Sequence, residues 1–174
     1  MATQTIYLDS TADDGSWYST AFSPYTITVG STFDRRGFAG FDLPSLDLRF
    51  GFSATLSLTV YGDQTWADQD LTVHLLNADS PPANNGEAVA LEWGDVLDTQ
   101  IVTDEGGSVV TFDVDAAIES LAVGGAFDGR YMLFGVRSLL LSGTRVRLHD
   151  YFADPTATTL VITTNDPPIT LMPR

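Results

Sequence analysis

The side chains that could carry acid–base or nucleophilic chemistry are few in this sequence. Its two histidines are His74, inside the apolar run LTVHLL, and His149, which precedes Asp150 in RVRLHDY. The sequence contains neither the GxSxG segment that presents a nucleophilic serine nor the HExxH zinc motif. Gly124 and Gly125 are not followed by Lys-Ser/Thr, so they do not form a phosphate-binding loop. We therefore expect structural or surface roles for both histidines and no catalytic site.

Carboxylates are the other candidate groups, because a pair of them can hydrolyse a glycosidic bond. Glu92, which precedes Trp93, is the first residue to test for that chemistry. The chain has 23 acidic residues, however, so close pairs are expected by chance. A solvated acidic surface is therefore the favoured interpretation.

Calcium is a second use for carboxylates, since loop carboxylates and carbonyl oxygens are its usual ligands. Asp9, Asp13 and Asp14 surround the first polar turn, and Asp68 and Asp70 lie near a later one. No segment has the spacing of an EF-hand loop. We expect no resident cofactor and leave open a structural calcium ion at Asp9, Asp13 and Asp14. The alternative is that these are ordinary turn residues.

Four aromatic residues near predicted loops are candidates for ligand binding: Trp17, Tyr18, Trp66 and Trp93. An exposed aromatic ring can stack on the apolar face of a sugar, and nearby Asp or Asn side chains can bind its hydroxyls. The alternative is packing, because large aromatic residues also close the open ends of a β-sandwich and tryptophan is mostly buried.

The composition excludes several classes of partner. The formal net charge is −15, and all eight basic residues are arginine. Such a surface repels the phosphates of nucleic acids and anionic lipid headgroups, so we expect neither nucleic acid nor membrane as a partner. The chain has no cysteine and no apolar run long enough to span a membrane. Its opening residues lack the basic and apolar regions of an export signal. Either this is the mature form of an exported protein or the protein does not use that route. The initial Met favours the second alternative, although a separately expressed domain would begin in the same way.

Short β-like runs separated by turn residues dominate the pattern. The clearest is ATLSLTVY over residues 54–61, where Leu56, Leu58 and Val60 share one face. Other runs lie at residues 5–8, 25–30, 36–43, 71–76, 109–114, 130–136, 145–151 and 158–164.

The remaining segments have different patterns. The sequence predicts one helix over Asp115–Val123, with Asp115 as its N-cap and Gly124-Gly125 after its end. Residues 79–87 have the composition of a loop, and residues 89–97 are ambiguous between helix and strand. The expected fold is an all-β jelly-roll β-sandwich over residues 1–164, with about nine or ten strands and one short helix. A proline-rich tail follows at 165–174.

The runs RRGFAGFDLPSL and SATLSLTVYG, followed later by FDVDAAIESL, GRYMLFGVRS and TTLVITT, resemble the DNRLRE-type domain. That family is a jelly-roll sandwich related to carbohydrate-binding modules. The resemblance therefore implies the sandwich fold and, less directly, sugar binding. The matching positions are Arg35, Arg36, Phe41, Asp42, Leu43, Phe112, Asp113, Val114, Asp154 and Pro155.

Two functional hypotheses follow. The first is a non-enzymatic structural or interaction protein of an assembled particle, such as a capsid decoration or head or tail protein of a virion. In that hypothesis the protein forms a homo-oligomer, and Ile169, Leu171 and Met172 of the tail dock on a neighbouring subunit. The second is a carbohydrate-binding module of an extracellular or cell-surface protein, with a glycan as its ligand.

Overall fold

The computed structural model describes residues 1–9, 13–18, 21–23, 27–30, 36–61, 69–102, 106–138, 145–149 and 154–166. These residues form fourteen strands and two short helices, so the prediction of an all-β sandwich is confirmed. There are more strands than predicted, because several have only two to four residues. The strands are, in chain order, β1 (Ala2–Tyr7), β2 (Asp14–Tyr18), β3 (Ala21–Ser23), β4 (Ile27–Gly30), β5 (Arg36–Leu43), β6 (Leu46–Asp47), β7 (Phe52–Thr59), β8 (Gln69–Leu76), β9 (Trp93–Val102), β10 (Val109–Asp113), β11 (Ala126–Phe127), β12 (Arg130–Ser138), β13 (Arg145–Leu148) and β14 (Thr158–Thr164).

Two antiparallel sheets form the layers of the sandwich. One has four strands in the order β1-β14-β7-β10, and the other has six in the order β3-β2-β5-β12-β8-β9. The chain crosses from one sheet to the other between β5 and β7, between β7 and β8, and between β9 and β10. This exchange of successive strands is typical of a jelly roll. Two small sheets, β13-β4 and β11-β6, accompany the large ones.

The core lies between the two large sheets. Strand β7 alternates as the sequence predicts, with Leu56 and Leu58 fully buried and Val60 buried just beyond its end. Strand β5 is buried along most of its length, because residues of both its faces are covered. The side chains from both sheets that form one cluster include Phe41, Leu56, Leu58, Val73, Phe112, Phe134, Val136 and Leu160.

The first helix, α1 (Asn85–Ala90), overlaps the predicted loop. Its N-cap is Asn84, whose Oδ1 accepts a hydrogen bond from the backbone N–H of Glu87 at 3.1 Å. The Glu87 carboxylate in turn accepts from the backbone N–H of Ala83 at 2.8 Å. This reciprocal capping begins a helix inside a polar segment that otherwise has loop composition. The prediction of a loop over residues 79–87 was therefore wrong at its end.

The second helix, α2 (Asp115–Leu121), lies where the sequence predicts a helix and ends two residues earlier. The predicted cap was wrong: Val114 is the N-cap residue and makes no capping side-chain hydrogen bond. Asp115 instead accepts a short hydrogen bond from the backbone N–H of Ala54, which attaches the helix to β7. Neither described helix is long and apolar enough to cross a membrane.

The four edge strands of the large sheets differ in character. Strand β1 pairs only with β14 among the described strands and is almost wholly exposed. Strand β3 has three residues. Strand β9 contains Asp95 and Asp98, and its pairing with β8 has two register shifts. Strand β10 lies beside β9, where the Asp98 carboxylate accepts from the backbone N–H of Asp113 at 2.9 Å.

Strand β14 ends at Thr164, the last residue of the predicted sandwich. Asn165 continues to contact the fold, because its backbone N–H donates to Gly51 O at 3.0 Å and its side chain donates to Phe50 O at 3.2 Å. Residues 167–174 of the predicted docking tail, with Ile169, Leu171 and Met172, lie outside the described residues.

Candidate functional site

A groove of about 530 Å³ lies where the end of β8 and the start of β9 meet α2 and the start of β12. We call it the end groove and define it by residues 75–79, 92–97, 116–117, 120–121 and 130–132. Its volume lies within the range of about 300–1,000 Å³ that is usual for small-molecule sites. The groove is therefore the best candidate for a ligand site among the described residues.

Exposed polar side chains surround the end groove. Three carboxylates, Asp79, Glu92 and Asp95, are accompanied by the Arg130 guanidinium and the Asn77 amide. The Asn77 side chain donates weakly to the Glu92 carboxylate at 3.4 Å, and its backbone N–H donates to Glu92 O at 3.1 Å. The lining thus offers many acceptors and a few donors, which suits hydroxyl groups.

Trp93, one of the predicted ligand-binding residues, lines the end groove and is half-buried. Its indole packs over Gly135, because a Cβ atom at position 135 would stand 2.7 Å from the Trp93 Cη2 and Cζ3 atoms. The ring meets His74 edge-on, with centroids 5.0 Å apart. The Arg36 guanidinium carbon is 5.4 Å from the Trp93 ring centroid, within range for a cation–π contact. This tryptophan packs against the sheet and also lines the groove, and ligand binding by Trp93 stays a prediction.

His74 connects the strands that position Trp93. Its Nδ1 is 2.9 Å from Gly94 O, and because a carbonyl oxygen only accepts, Nδ1 carries a proton. Its Nε2 is 3.1 Å from Thr72 Oγ1, which also lies 3.3 Å from Arg137 O. These contacts fit the structural role that the sequence predicts for His74, because they hold the start of β9 against β8 and β12.

Tyr131 is the second aromatic residue that lines the end groove. Its hydroxyl lies against Gly40, where a Cβ atom would be only 1.8 Å from the Tyr131 oxygen. The hydroxyl donates to the Asp13 carboxylate at 3.3 Å. Burial raises the pKa of the Tyr131 phenol far above its usual value, and the negative charge of Asp13 raises it further. The phenol is thus a permanent hydrogen-bond donor at ordinary pH.

The predicted calcium ligands lie in different environments. Asp14 is fully buried and Asp13 nearly so, whereas Asp9 is exposed. In the part of the chain that the structure describes, no three His, Cys, Asp or Glu side chains are grouped so that they could hold a metal ion. The geometry lends no support to a calcium site at these residues, and that site stays a prediction.

The other aromatic candidates are less well defined. Trp17 and Tyr18 belong to β2, where Trp17 pairs with Arg36 of β5, but their side chains lie outside what the structure describes. Trp66 lies outside the described residues altogether.

Sequence reasoning missed Asn77, Asp95, Arg130 and Tyr131 as groove residues. One signal was present: Asn77 directly follows the predicted strand 71–76, and loops at strand ends commonly carry binding residues. The convergence of β8, β9 and β12 depends on strand register, which no local pattern indicates.

Comparison with models of protein families and with curated proteins found no match to this chain. The likeness to the DNRLRE-type domain stays a prediction from sequence motifs.

Proposed function

We propose that this protein is a non-enzymatic structural and interaction protein of an assembled particle, such as a capsid decoration or head or tail protein of a virion. In this proposal it acts as a homo-oligomer that binds other protein subunits. One observation carries the proposal, namely the edge of strand β1, along which no second described strand pairs.

Strand β1 has the properties of a pairing surface. It runs regularly from Ala2 to Tyr7, and its pairing with β14 has no register shift. Its sequence ATQTIY contains no charge, proline or glycine, although the chain as a whole carries −15. Tyr7 is 46% exposed. The outer backbone groups of such an edge can pair with a strand of another chain.

The contrast with the other edges supports this choice. Proteins protect edge strands by shortening them, by irregular pairing or by adding charges. Strand β3 is short, and β9 combines register shifts with Asp95 and Asp98. Strand β10 contacts β9, and the backbone N–H of Asp113 at its end donates to the Asp98 carboxylate. Among the described edges of the two large sheets, β1 alone has none of these protections.

The acidic surface sets the conditions for association. Like charges repel when two copies approach, and salt reduces the range of that repulsion from about 10 Å at 0.1 M to about 3 Å at 1 M. An uncharged edge adds nothing to the repulsion. We expect self-association through β1 to strengthen as salt rises, and the acidic surface to keep the free protein soluble.

The experiment is light scattering in low and high salt, together with a search for the protein in purified particles. Thr5→Glu places like charges on the two facing β1 strands and should weaken association by about tenfold or more. The matched control is Thr99→Glu, which adds the same charge at an exposed threonine of β9 and should leave the mass unchanged. A monomer at every salt concentration, equal effects of the two variants, or absence from purified particles would each contradict the proposal.

A carbohydrate-binding module is the second candidate, favoured by one specific observation. The end groove combines the Trp93 and Tyr131 rings with the acceptors Asn77, Glu92 and Asp95. Aromatic surface beside convergent polar groups is the usual composition of a sugar site.

The test of this candidate is a glycan array followed by calorimetry with any glycan that binds. Glu92→Gln should weaken binding by about tenfold, because a groove acceptor loses its charge. Glu119→Gln removes the charge of another exposed carboxylate, on α2 and outside the groove, and should have no effect. No binding on the array, or equal binding by both variants, would count against a sugar site here.

A further inference from the structure

A second cluster of side chains, formed by Tyr61, Arg147 and His149, lies at the end of strand β13 and shares no residue with the end groove. Arg147 and His149 are two residues apart in an extended segment, so their side chains point to the same side. Tyr61 covers both: the Arg147 guanidinium carbon is 4.0 Å from the Tyr61 ring centroid, and the His149 ring centroid is 5.0 Å from it. The Tyr61 ring is 37% exposed, so the cluster reaches the surface.

Backbone hydrogen bonds hold this cluster in place. Tyr61 N donates to Arg147 O at 2.9 Å, and His149 N donates to Thr59 O at 2.8 Å. The Thr158 hydroxyl donates to His149 O at 3.0 Å. The segments that carry Tyr61, Arg147 and His149 are thus fixed relative to one another before any ligand arrives.

Within the part of the chain that the structure describes, two buried nitrogen atoms of the cluster have no hydrogen-bond partner: Arg147 Nε and His149 Nδ1. A buried polar atom of this kind costs free energy and requires an explanation, such as a bound water or ion. The Nε atom carries a hydrogen that can only donate, and Nδ1 donates when it is protonated. Two nitrogen atoms without partners, two residues apart on one side of the chain, are better explained by one shared ligand than by two unrelated losses of a hydrogen bond.

The carboxylate of Asp154 binds to Thr156 rather than to these two nitrogen atoms. Asp154 lies close enough to His149 for the two side chains to interact electrostatically. The Asp154 Oδ1 atom, however, accepts hydrogen bonds from the backbone N–H and the hydroxyl of Thr156, at 2.9 and 2.7 Å. The pKa of Asp154 is lowered, chiefly by the Thr156 hydrogen bonds and less by His149. Among the described contacts, its carboxylate does not bond to Arg147 Nε or His149 Nδ1.

We propose that Arg147 and His149, beneath Tyr61, form a binding site for a small oxyanion, either a free inorganic anion or the carboxylate of a larger ligand. The Arg147 Nε–H group and the His149 Nδ1 group donate to oxygens of the anion, and the Tyr61 ring shields it from water. This site is independent of the β1 edge and of the end groove.

The experiment is a titration of the intact protein with sulfate and, separately, with glucuronate, with ionic strength held constant by sodium chloride. The Arg147 Nε–H resonance in a 15N-edited NMR spectrum should shift and saturate. Tighter binding of sulfate would indicate an inorganic anion, and tighter binding of glucuronate would indicate a carboxylate ligand; either supports the site. Arg147→Lys retains the charge without the Nε donor. Followed through the backbone amide resonances of residues 147 and 149, which all variants share, it should bind about tenfold more weakly.

The matched control is Arg49→Lys, an exposed arginine that pairs with Asp47 at 2.7 Å, and it should bind as the unaltered protein does. His149→Phe is a second variant, which serves as the test if Arg147→Lys does not fold. It keeps a ring against Tyr61 and removes Nδ1, so anion binding should also fall. If neither anion produced a saturable shift, a bridging water would be the remaining explanation for the two nitrogen atoms, and the proposal would be overturned. Equal affinities in His149→Phe and Arg49→Lys would overturn it as well.

Discussion

Replacing Gly135 with alanine should destabilise the protein through Trp93. The new Cβ atom would stand 2.7 Å from two indole carbons and 2.8 Å from Leu76 Cδ2, whereas ordinary van der Waals contact begins near 3.4 Å. Overpacking of this kind costs about 1–3 kcal/mol, and alanine recovers about 0.5–1 kcal/mol because glycine is unfavourable within a strand. We expect a net loss of about 1–2 kcal/mol. For a chain of this length, that loss lowers Tm by roughly 2–8 °C.

The measurement is urea unfolding followed by circular dichroism, arranged as a double-mutant cycle with Trp93→Leu. If the indole is the group that resists the new methyl, Gly135→Ala should cost less than about half as much in the Trp93→Leu background, because contacting residues couple by about 0.5–3 kcal/mol. Additive effects of the two substitutions would refute the placement of Trp93 over Gly135. Additive effects would also mean that the indole of Trp93 does not hold the position that it has in the end groove.

Three further predictions concern the core, a helix cap and the partly buried carboxylate of Asp115. Phe112→Ala should cost about 3–5 kcal/mol in urea unfolding, whereas Phe50→Ala, at a side chain 39% exposed, should cost far less, and similar losses would contradict the assigned core. Asn84→Ala should cost about 1 kcal/mol because the Glu87 N–H loses its acceptor, and no change in unfolding free energy would argue against the cap. Burial raises the pKa of Asp115, so its charge destabilises the fold at neutral pH, and the unfavourable effect disappears as pH falls through that pKa. Asp115→Asn should therefore be at least as stable as the unaltered protein at pH 7, and the difference should shrink at acidic pH. Asp115→Ala loses the acceptor for the Ala54 N–H of β7 and should be less stable at both pH values. If Asp115→Asn lost as much stability at pH 7 as Asp115→Ala, the charge itself would be needed.

The sequence predicted the elements whose pattern is local. The runs 36–43 and 158–164 correspond residue for residue to β5 and β14, and the inward side of β7 follows from simple alternation. Helix α2 was also predicted, from an apolar face formed by Ile118, Leu121 and Ala122. In the structure its buried residues are Ala117 and Ile118.

The features that the sequence did not predict depend on competing local signals. Helix α1 lies in a segment rich in Pro, Asn and Asp, where the reciprocal contact between Asn84 and Glu87 outweighs the loop composition. The ambiguous segment 89–97 contains the end of α1 and the start of β9, so neither a single helix nor a single strand describes it. Asp115 was expected to cap its own helix, but its carboxylate accepts from a residue distant in the chain.

The candidate sites were harder to predict than the fold. Trp93 and Glu92 stood out by residue type alone, but the partners of Trp93 come from three strands. His74, Gly135 and Arg36 meet the indole only because of the registers of β8, β12 and β5. The cluster of Arg147 and His149 requires Tyr61, which lies far away in the sequence and reaches them through a single bridge between Val60 and Leu148.

The pairing of β1 with β14 affects how the protein folds during its synthesis. The first strand described pairs with the last, so β1 leaves the ribosome long before its partner has been synthesised. Contacts so distant in sequence form slowly, and unpaired strands are prone to aggregate while they wait. During that interval both edges of an uncharged strand are available, and the many carboxylates on the rest of the nascent chain are its main protection against premature association.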